Sequence, residues 1–333
     1  MVLEKKITEF SADLFVERSA QNLAAEMHRK GLKGAVFGAS GGIDSIVTAN
    51  LCVNARKKSD KWPVVAFQMN DSRVKGEFYN PEIYRHLGAD LIQADITTDA
   101  VHMEKLLGMP PHWLTMWLMK LLVRWAPMKA KRQVILAVKS GKAPDWVLIH
   151  YKLLILLHRL RIAKLKEYST RHRLMLVICA NMTEASLGYF VEQGVDDPRM
   201  GDWAPLSGLY KSQVLRVAQY IGLPERLMLQ KPSPGFGGIY DEEIIGPFGL
   251  VDLILVGLSQ GYSDAEITKA LRPSFDKWTK TGFLKRKKSY DIHYVRFIRQ
   301  LTELNAQKEH PEKPEDKTFF PCWGLNMLGN RQF

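Results

Sequence analysis

The chain has 333 residues, 46% of them hydrophobic and 25% charged, a balance that excludes a disordered or collagen-like polypeptide. Lys and Arg number 47 against 35 Asp and Glu, so the formal net charge is +12. Cys52, Cys179 and Cys322 lie far apart with no C-x-x-C pair, which argues against a disulfide framework or a structural zinc site and for a reducing, cytoplasmic setting. No run of about 18 apolar residues is present to cross a bilayer. The opening MVLEKKITEF lacks the apolar core of a signal peptide. The length suits two small domains or one elaborated α/β domain.

In chain order, the spacing of Ile7, Phe10, Leu14, Leu23 and Met27 predicts an amphipathic helix over 6–30. KGAVFGAS at 33–40 suits a buried parallel strand, and Ile43, Ile46, Val47 and Leu51 mark a helix over 43–55. PVVAFQM at 63–69 and ADLIQADI at 89–96 are further strands, with a short helix at 81–87 between them. This alternation predicts an α/β fold, an open parallel sheet with helices on both faces.

From about 100 to 158 the rhythm breaks. Trp113, Trp117, Leu121 and Trp125 recur every four residues, and a second apolar helix runs from about 146 to 165. KSGKAPD at 139–145 reads as the turn between them. LMLVICA at 174–180 is a fourth strand, followed by helices at about 183–193, 209–222 and 241–260. The segment from Lys105 to Lys166 carries 13 basic residues and one acid, Asp145, which is the whole excess of the chain, and four of its eight tryptophans. Such a basic, aromatic segment suits an anionic ligand, a membrane surface, nucleic acid or a partner helix, and equally a helical hairpin whose apolar side is core or dimer interface and whose lysines are solvated.

The stretch with the most chemistry is FGASGGIDS at 37–45. A strand leads into Ser40, two glycines let backbone N–H groups approach an anion, and a helix then begins. Ser40 and Ser45 add hydroxyl donors. Asp44 would repel a phosphate unless a cation intervenes, so it predicts a Mg²⁺ bridge. No Lys follows the glycines, so this is not a Walker-type loop.

S-G-G-x-D-S after a strand resembles the pyrophosphate loop of the N-type ATP pyrophosphatases. Other segments resemble the NAD synthetases within that group. Arg159-Leu160-Arg161-Ile162 is similar to A-R-x-R-M. Asn181-Met182-Thr183-Glu184 follows at the family's spacing, then Gly188-Tyr189-Phe190, Asp202-Trp203-Ala204-Pro205-Leu206 and Leu209-Tyr210-Lys211-Ser212-Gln213-Val214. Lys231-Pro232-Ser233 and Asp241-Glu242-Glu243 echo later motifs. The resemblance implies an adenine nucleotide alpha hydrolase-like, Rossmann-like domain over 1–303. A basic, Trp-rich helical insertion at about 105–158 and a polar tail at 304–333 complete the expected organisation.

The resemblance also implies an ATP-dependent amide ligase. Nicotinate adenine dinucleotide would be adenylylated on its carboxylate, and ammonia would open the mixed anhydride to give NAD. Ser40, Gly41, Gly42, Ser45 and Ser233 would bind ATP and pyrophosphate, with Lys211 on the phosphates. Asp44 and Glu184 would hold Mg²⁺, and Asp202 would act near the substrate carboxylate or ammonia. Asn181, Thr183 and Glu192 would face the acceptor. Arg159 and Arg161 would lie at the dinucleotide site or the dimer face. The implied assembly is a homodimer with small-molecule substrates; separately from the resemblance, the Trp and Leu face and the lysines of 110–160 suggest membrane-surface contact of an otherwise cytoplasmic protein, and nucleic acid is not expected.

The departures gather on the acceptor side. Where the family pattern has lysine the chain has Glu192, and the aspartate of G-Y-F-T-K-Y-G-D falls on Val195, or on Asp196 with a one-residue slip. A reversed charge there leaves open a different acceptor carboxylate, such as a nucleotide- or lipid-linked sugar acid. No amino-terminal Cys nucleophile or glutaminase machinery is visible, so the nitrogen would be free ammonia or come from a separate protein.

Overall fold

The computed structural model describes residues 2–57, 62–74, 81–189, 191–230, 241–280 and 290–308. Four parallel strands, β1 (Ala35–Gly38), β2 (Val64–Asn70), β3 (Asp90–Asp95) and β4 (Met175–Val177), form a sheet in the order β3-β2-β1-β4. β1 pairs with β2 from Ala35 opposite Val64 and with β4 from Ala35 opposite Met175. Both central neighbours of β1 are parallel, so its polar backbone is satisfied on both sides and its residues are free to be apolar throughout.

Successive strand residues face opposite sides of the sheet. Ala35 and Phe37 pack with Leu23, Ile46, Leu51 and Val214 on one side, from the helices Ala12–Lys30, Ile43–Lys57 and Lys211–Tyr220. Val36, Val65 and Leu176 pack on the other against Ile162 and Leu165 of the long helix Asp145–His172. A third apolar cluster unites the helices Phe248–Ser259, Asp264–Lys280 and Ile292–Lys308.

Several helices differ from the sequence reading. The expected helix over 6–30 is two, Val2–Thr8 and Ala12–Lys30, the second preceded by Ser11 in extended backbone. The helix at 183–193 stops at Leu187, because Gly188 turns left-handed with φ of 60°. The helix at 241–260 is cut at Gly246, φ 100°, and Pro247, where an added Cβ would collide with the Tyr294 hydroxyl. Thr97–Leu106, Met128–Lys139 and Asp264–Lys280 are helices that the pattern did not announce. The expected tail at 304–333 begins inside a helix that runs to Lys308; its remainder, with Cys322, lies outside the described residues.

Candidate active site

The carboxyl end of β1 opens directly into Ser40-Gly41-Gly42 and the helix Ile43–Lys57. Gly41 has φ of 80°, a left-handed conformation that favours glycine. The loop is internally braced. Gly42 N–H donates to Ser40 Oγ at 3.2 Å, Ser45 Oγ donates to the Gly42 carbonyl at 2.8 Å, and the two serine hydroxyls lie 3.2 Å apart. From beneath, the fully buried Tyr84 accepts the Gly41 N–H at 2.8 Å and meets Ser45 Oγ at 2.7 Å. Tyr84 comes from the short helix Glu82–Leu87, and its part in the site was not foreseen from sequence.

The carboxyl end of β4 leads to Asn181, which caps the helix Met182–Leu187 by accepting the Glu184 N–H at 3.0 Å. The same side chain donates to Asp44 Oδ1 at 3.0 Å, so it ties the two strand ends together. Lys211, almost fully buried, is in direct contact with Asp44 and lies 3.7 Å from Glu184. Two carboxylates thus converge on one ammonium. Burial, then the Asp44 charge, pushes Glu184 up to about 8, against the opposing pull of Lys211. Burial pushes Lys211 down, but Asp44 and Glu184 outweigh it and the net direction is upward.

Asp252, fully buried in an otherwise apolar helix, holds this cluster from behind. It accepts from Thr183 Oγ1 at 2.5 Å, Ser212 N–H at 2.7 Å and Ser212 Oγ at 2.5 Å. Thr183 in turn accepts the Lys211 N–H at 2.9 Å. Burial raises the Asp252 carboxyl, while the Ser212 and Thr183 donors pull it back. The chain therefore places a glycine loop and two carboxylates that share one ammonium at adjacent strand ends, the edge where open α/β sheets gather ligands.

A family model described as NAD synthase matches residues 15–106 and 155–292. The chain belongs to the NAD synthase family. A relative from Hyperthermus butylicus, described as NH(3)-dependent NAD(+) synthetase, is 31% identical over 284 residues, covering 84% of this chain and 81% of the relative. Another of the same description, from Coprothermobacter proteolyticus, is 37% identical over 119 residues, 35% of this chain and 39% of the relative. Among solved structures, NMN synthetase from Francisella tularensis covers 92% of this chain and 100% of its own, with a TM-score of 0.59 and 18% identity, a likeness of fold. The family model leaves residues 107–154 unmatched, and these include the Trp-rich segment.

The residues singled out by the NAD synthase resemblance fall in different places. Ser40, Gly41, Gly42, Ser45, Asp44, Glu184 and Lys211 come together as described, whereas Ser233 lies outside the described residues. Asn181 and Thr183, expected to face the acceptor, are fully buried, Asn181 donating to Asp44 and Thr183 to Asp252. Asp202, expected near the reacting groups, stands beside β4. It pairs with Lys30 at 2.9 Å and accepts the Leu176 N–H at 2.9 Å, while Trp203 bridges to Val177 beside β4. Its carboxylate anchors the sheet edge at the level of mid-strand, and Lys30 closes the far end of a helix.

Arg159 and Glu192 share a cavity of about 140 Å³ with Lys139, Tyr151, Gly188 and Arg199. Arg159 Nε donates to the Glu192 carbonyl at 3.3 Å, and the exposed Glu192 carboxylate lies 3.9 Å from Arg199. Arg161 is not among the lining residues; burial lowers its guanidinium, while Asp71 and Asp196 raise it. At the shifted aspartate position, Val195 packs against the core, and Asp196 supplies the carboxylate, accepting from Val191 N–H at 3.1 Å beside His158 at 3.2 Å.

Proposed function

We propose that the protein is an ammonia-dependent NAD synthetase. A carboxylate oxygen of nicotinate adenine dinucleotide attacks the α-phosphorus of ATP, and the bond to the β,γ-diphosphate breaks. Ammonia then adds to the acyl carbon, AMP leaves with its electron pair, and a proton is lost to give the amide. The observation that carries this reading is the meeting of the S-G-G-x-D-S loop with Asp44, Glu184 and Lys211 at the ends of β1 and β4, in a chain of this family.

The chemistry explains why such a site is needed. A carboxylate is a poor electrophile and ammonia does not displace oxide, so the oxygen must first become part of a good leaving group. The loop N–H groups, the start of the helix Ile43–Lys57 and the Lys211 ammonium place positive charge where diphosphate departs. Ser40 and Ser45 orient its oxygens, and Ser233 is assigned to the same phosphates.

The donor set fits Mg²⁺. Asp44 and Glu184 offer hard oxygens and share one ammonium between them. Among the described residues no group of three or more His, Cys, Asp or Glu is placed to hold a metal. Mg²⁺ commonly takes one or two carboxylates and completes its shell with water and substrate phosphates. Asp44 and Glu184 would hold Mg²⁺, which would supply neutralisation of the departing diphosphate.

We assign the anionic part of the acceptor to the cavity beside Arg159 and Arg199, and the assembly to a homodimer working in the cytoplasm. Among the described residues no helix is long and apolar enough to cross a membrane. The test is incubation with ATP, Mg²⁺, ammonium and nicotinate adenine dinucleotide. Formation of NAD with one equivalent of diphosphate is expected; intact ATP binding without NAD would overturn the acceptor. Glu192 favours one second reading, amidation of a different carboxylate, because an acid stands beside the cations of that cavity. Diphosphate release with a sugar acid but not with nicotinate adenine dinucleotide would support it.

A further inference from the structure

The helix His112–Trp125 has no buried residue, although it is rich in Trp and Leu. Trp113, Trp117, Leu118, Leu121, Leu122 and Trp125 are all exposed, the three tryptophans by 70, 57 and 62%. Their spacing puts them on one half of the helix, with the exposed Lys120 and Arg124 at its edge. Soluble surfaces scatter single apolar residues but rarely gather six large ones on one turn after another.

The neighbouring helix Met128–Lys139 is anchored to the body by its own cations. Arg132 lies 4.6 Å over the Tyr294 ring, Lys131 donates to the Glu243 carbonyl at 3.2 Å, and Lys139 donates to the Gly188 carbonyl. The cations left at the surface are Lys120, Arg124, Lys129 and Lys142. Residues 112–144 contain no Asp or Glu at all.

From this arrangement we infer that the helix His112–Trp125 docks on an anionic lipid surface. It lies in the plane of the interface with its Trp and Leu half immersed and its basic edge among the headgroups. An amphipathic helix with Trp on one side and Lys or Arg on the other has both elements such binding requires, apolar area and attraction to acidic lipid. Charge complementarity selects this occupant over a second copy. A two-fold contact sets a patch against itself, and here it would bring Lys120 and Arg124 against their own equivalents with no acid in the segment to answer them. A phosphate backbone would leave Leu118, Leu121 and Leu122 without apolar cover.

The experiment is flotation of the full chain with phosphatidylcholine vesicles, with and without phosphatidylglycerol, at low salt. Light scattering of the lipid-free protein runs in parallel. The chain is expected to rise with the anionic vesicles alone, to release in high salt, and to shift its Trp emission to the blue. Trp117→Ser, Leu121→Ser and Trp125→Ser together should abolish flotation, and Lys120→Glu with Arg124→Glu should weaken it about tenfold or more, since each cation near acidic lipid contributes about fivefold. Both variants should keep the oligomeric state and the ATP-dependent activity of the parent. Failure of the full chain to rise with either vesicle overturns the inference. So does a Trp and Leu variant that changes the lipid-free oligomeric state, which would put the face between copies.

Discussion

Replacing Tyr84 by Phe isolates the support beneath the phosphate loop. The substitution keeps the ring, its volume and its packing at 5.9 Å from Phe37, and removes only the hydroxyl. Two hydrogen bonds are lost, from the Gly41 N–H at 2.8 Å and with Ser45 Oγ at 2.7 Å. Ser45 keeps the Gly42 carbonyl, but the buried Gly41 N–H has no other acceptor assigned to it in the loop. A buried donor left unsatisfied costs about 1–3 kcal/mol, more than the net worth of an ordinary hydrogen bond. The expected loss in urea unfolding is therefore about 2 kcal/mol. The loop also loses its fixed position, so KM for ATP should rise while the KM for the acceptor stays put. Tyr84→Ala, which adds a cavity, should cost roughly 3–5 kcal/mol. A Tyr84→Phe protein that unfolds with the parent and keeps its KM for ATP would refute the reasoning.

Three other outcomes follow from the geometry. Asp44→Asn or Glu184→Gln should cut diphosphate release by about 10²–10³-fold, the size of losing one electrostatic stabiliser, and raise the Mg²⁺ concentration needed for half-maximal rate; an unchanged Mg²⁺ dependence would dismiss both as ligands. Asp202→Ala removes the acceptor for the buried Leu176 N–H and the Lys30 partner, so it should destabilise by about 1–3 kcal/mol yet leave kcat near that of the parent, whereas a collapse of kcat in a folded protein would return Asp202 to the reaction. Asp241 is raised by burial from 3.8 to about 6, so its folded-state preference for the proton gives stability that is full below pH 4 and lost as the pH rises through 6. Asp241→Asn should thus gain up to about 3 kcal/mol at pH 7 and nothing at pH 4, and equal stabilities across that range in chemical denaturation would contradict it.

What the sequence made legible was the part of the site built from local motifs. Two glycines between a strand and a helix leave few alternatives to a tight loop, and Asn181 three residues before Glu184 has the spacing of a helix cap. At Asn181 and Thr183 a motif records that a polar group is needed, not which way it faces; the bond to Asp252 turns Thr183 inward. The same holds for Asp202, since a carboxylate that holds a strand edge and one that meets a substrate look alike in a string of letters.

Tyr84 carried no local signal, because its hydroxyl meets Gly41 across 43 positions of chain. Asp252 did carry one. A lone acid in FGLVDLILVGLS is costly to bury unless donors await it, so its presence there already implied partners. The structure supplies them from Thr183 and Ser212, the residues flanking Glu184 and Lys211 in the chain. An acid wholly sealed from solvent and bound to both neighbours fixes where those two functional groups stand relative to one another. That is why the Lys211 ammonium can sit between two carboxylates without a flexible approach: its position is set by the backbone at Ser212 before its own charge is counted.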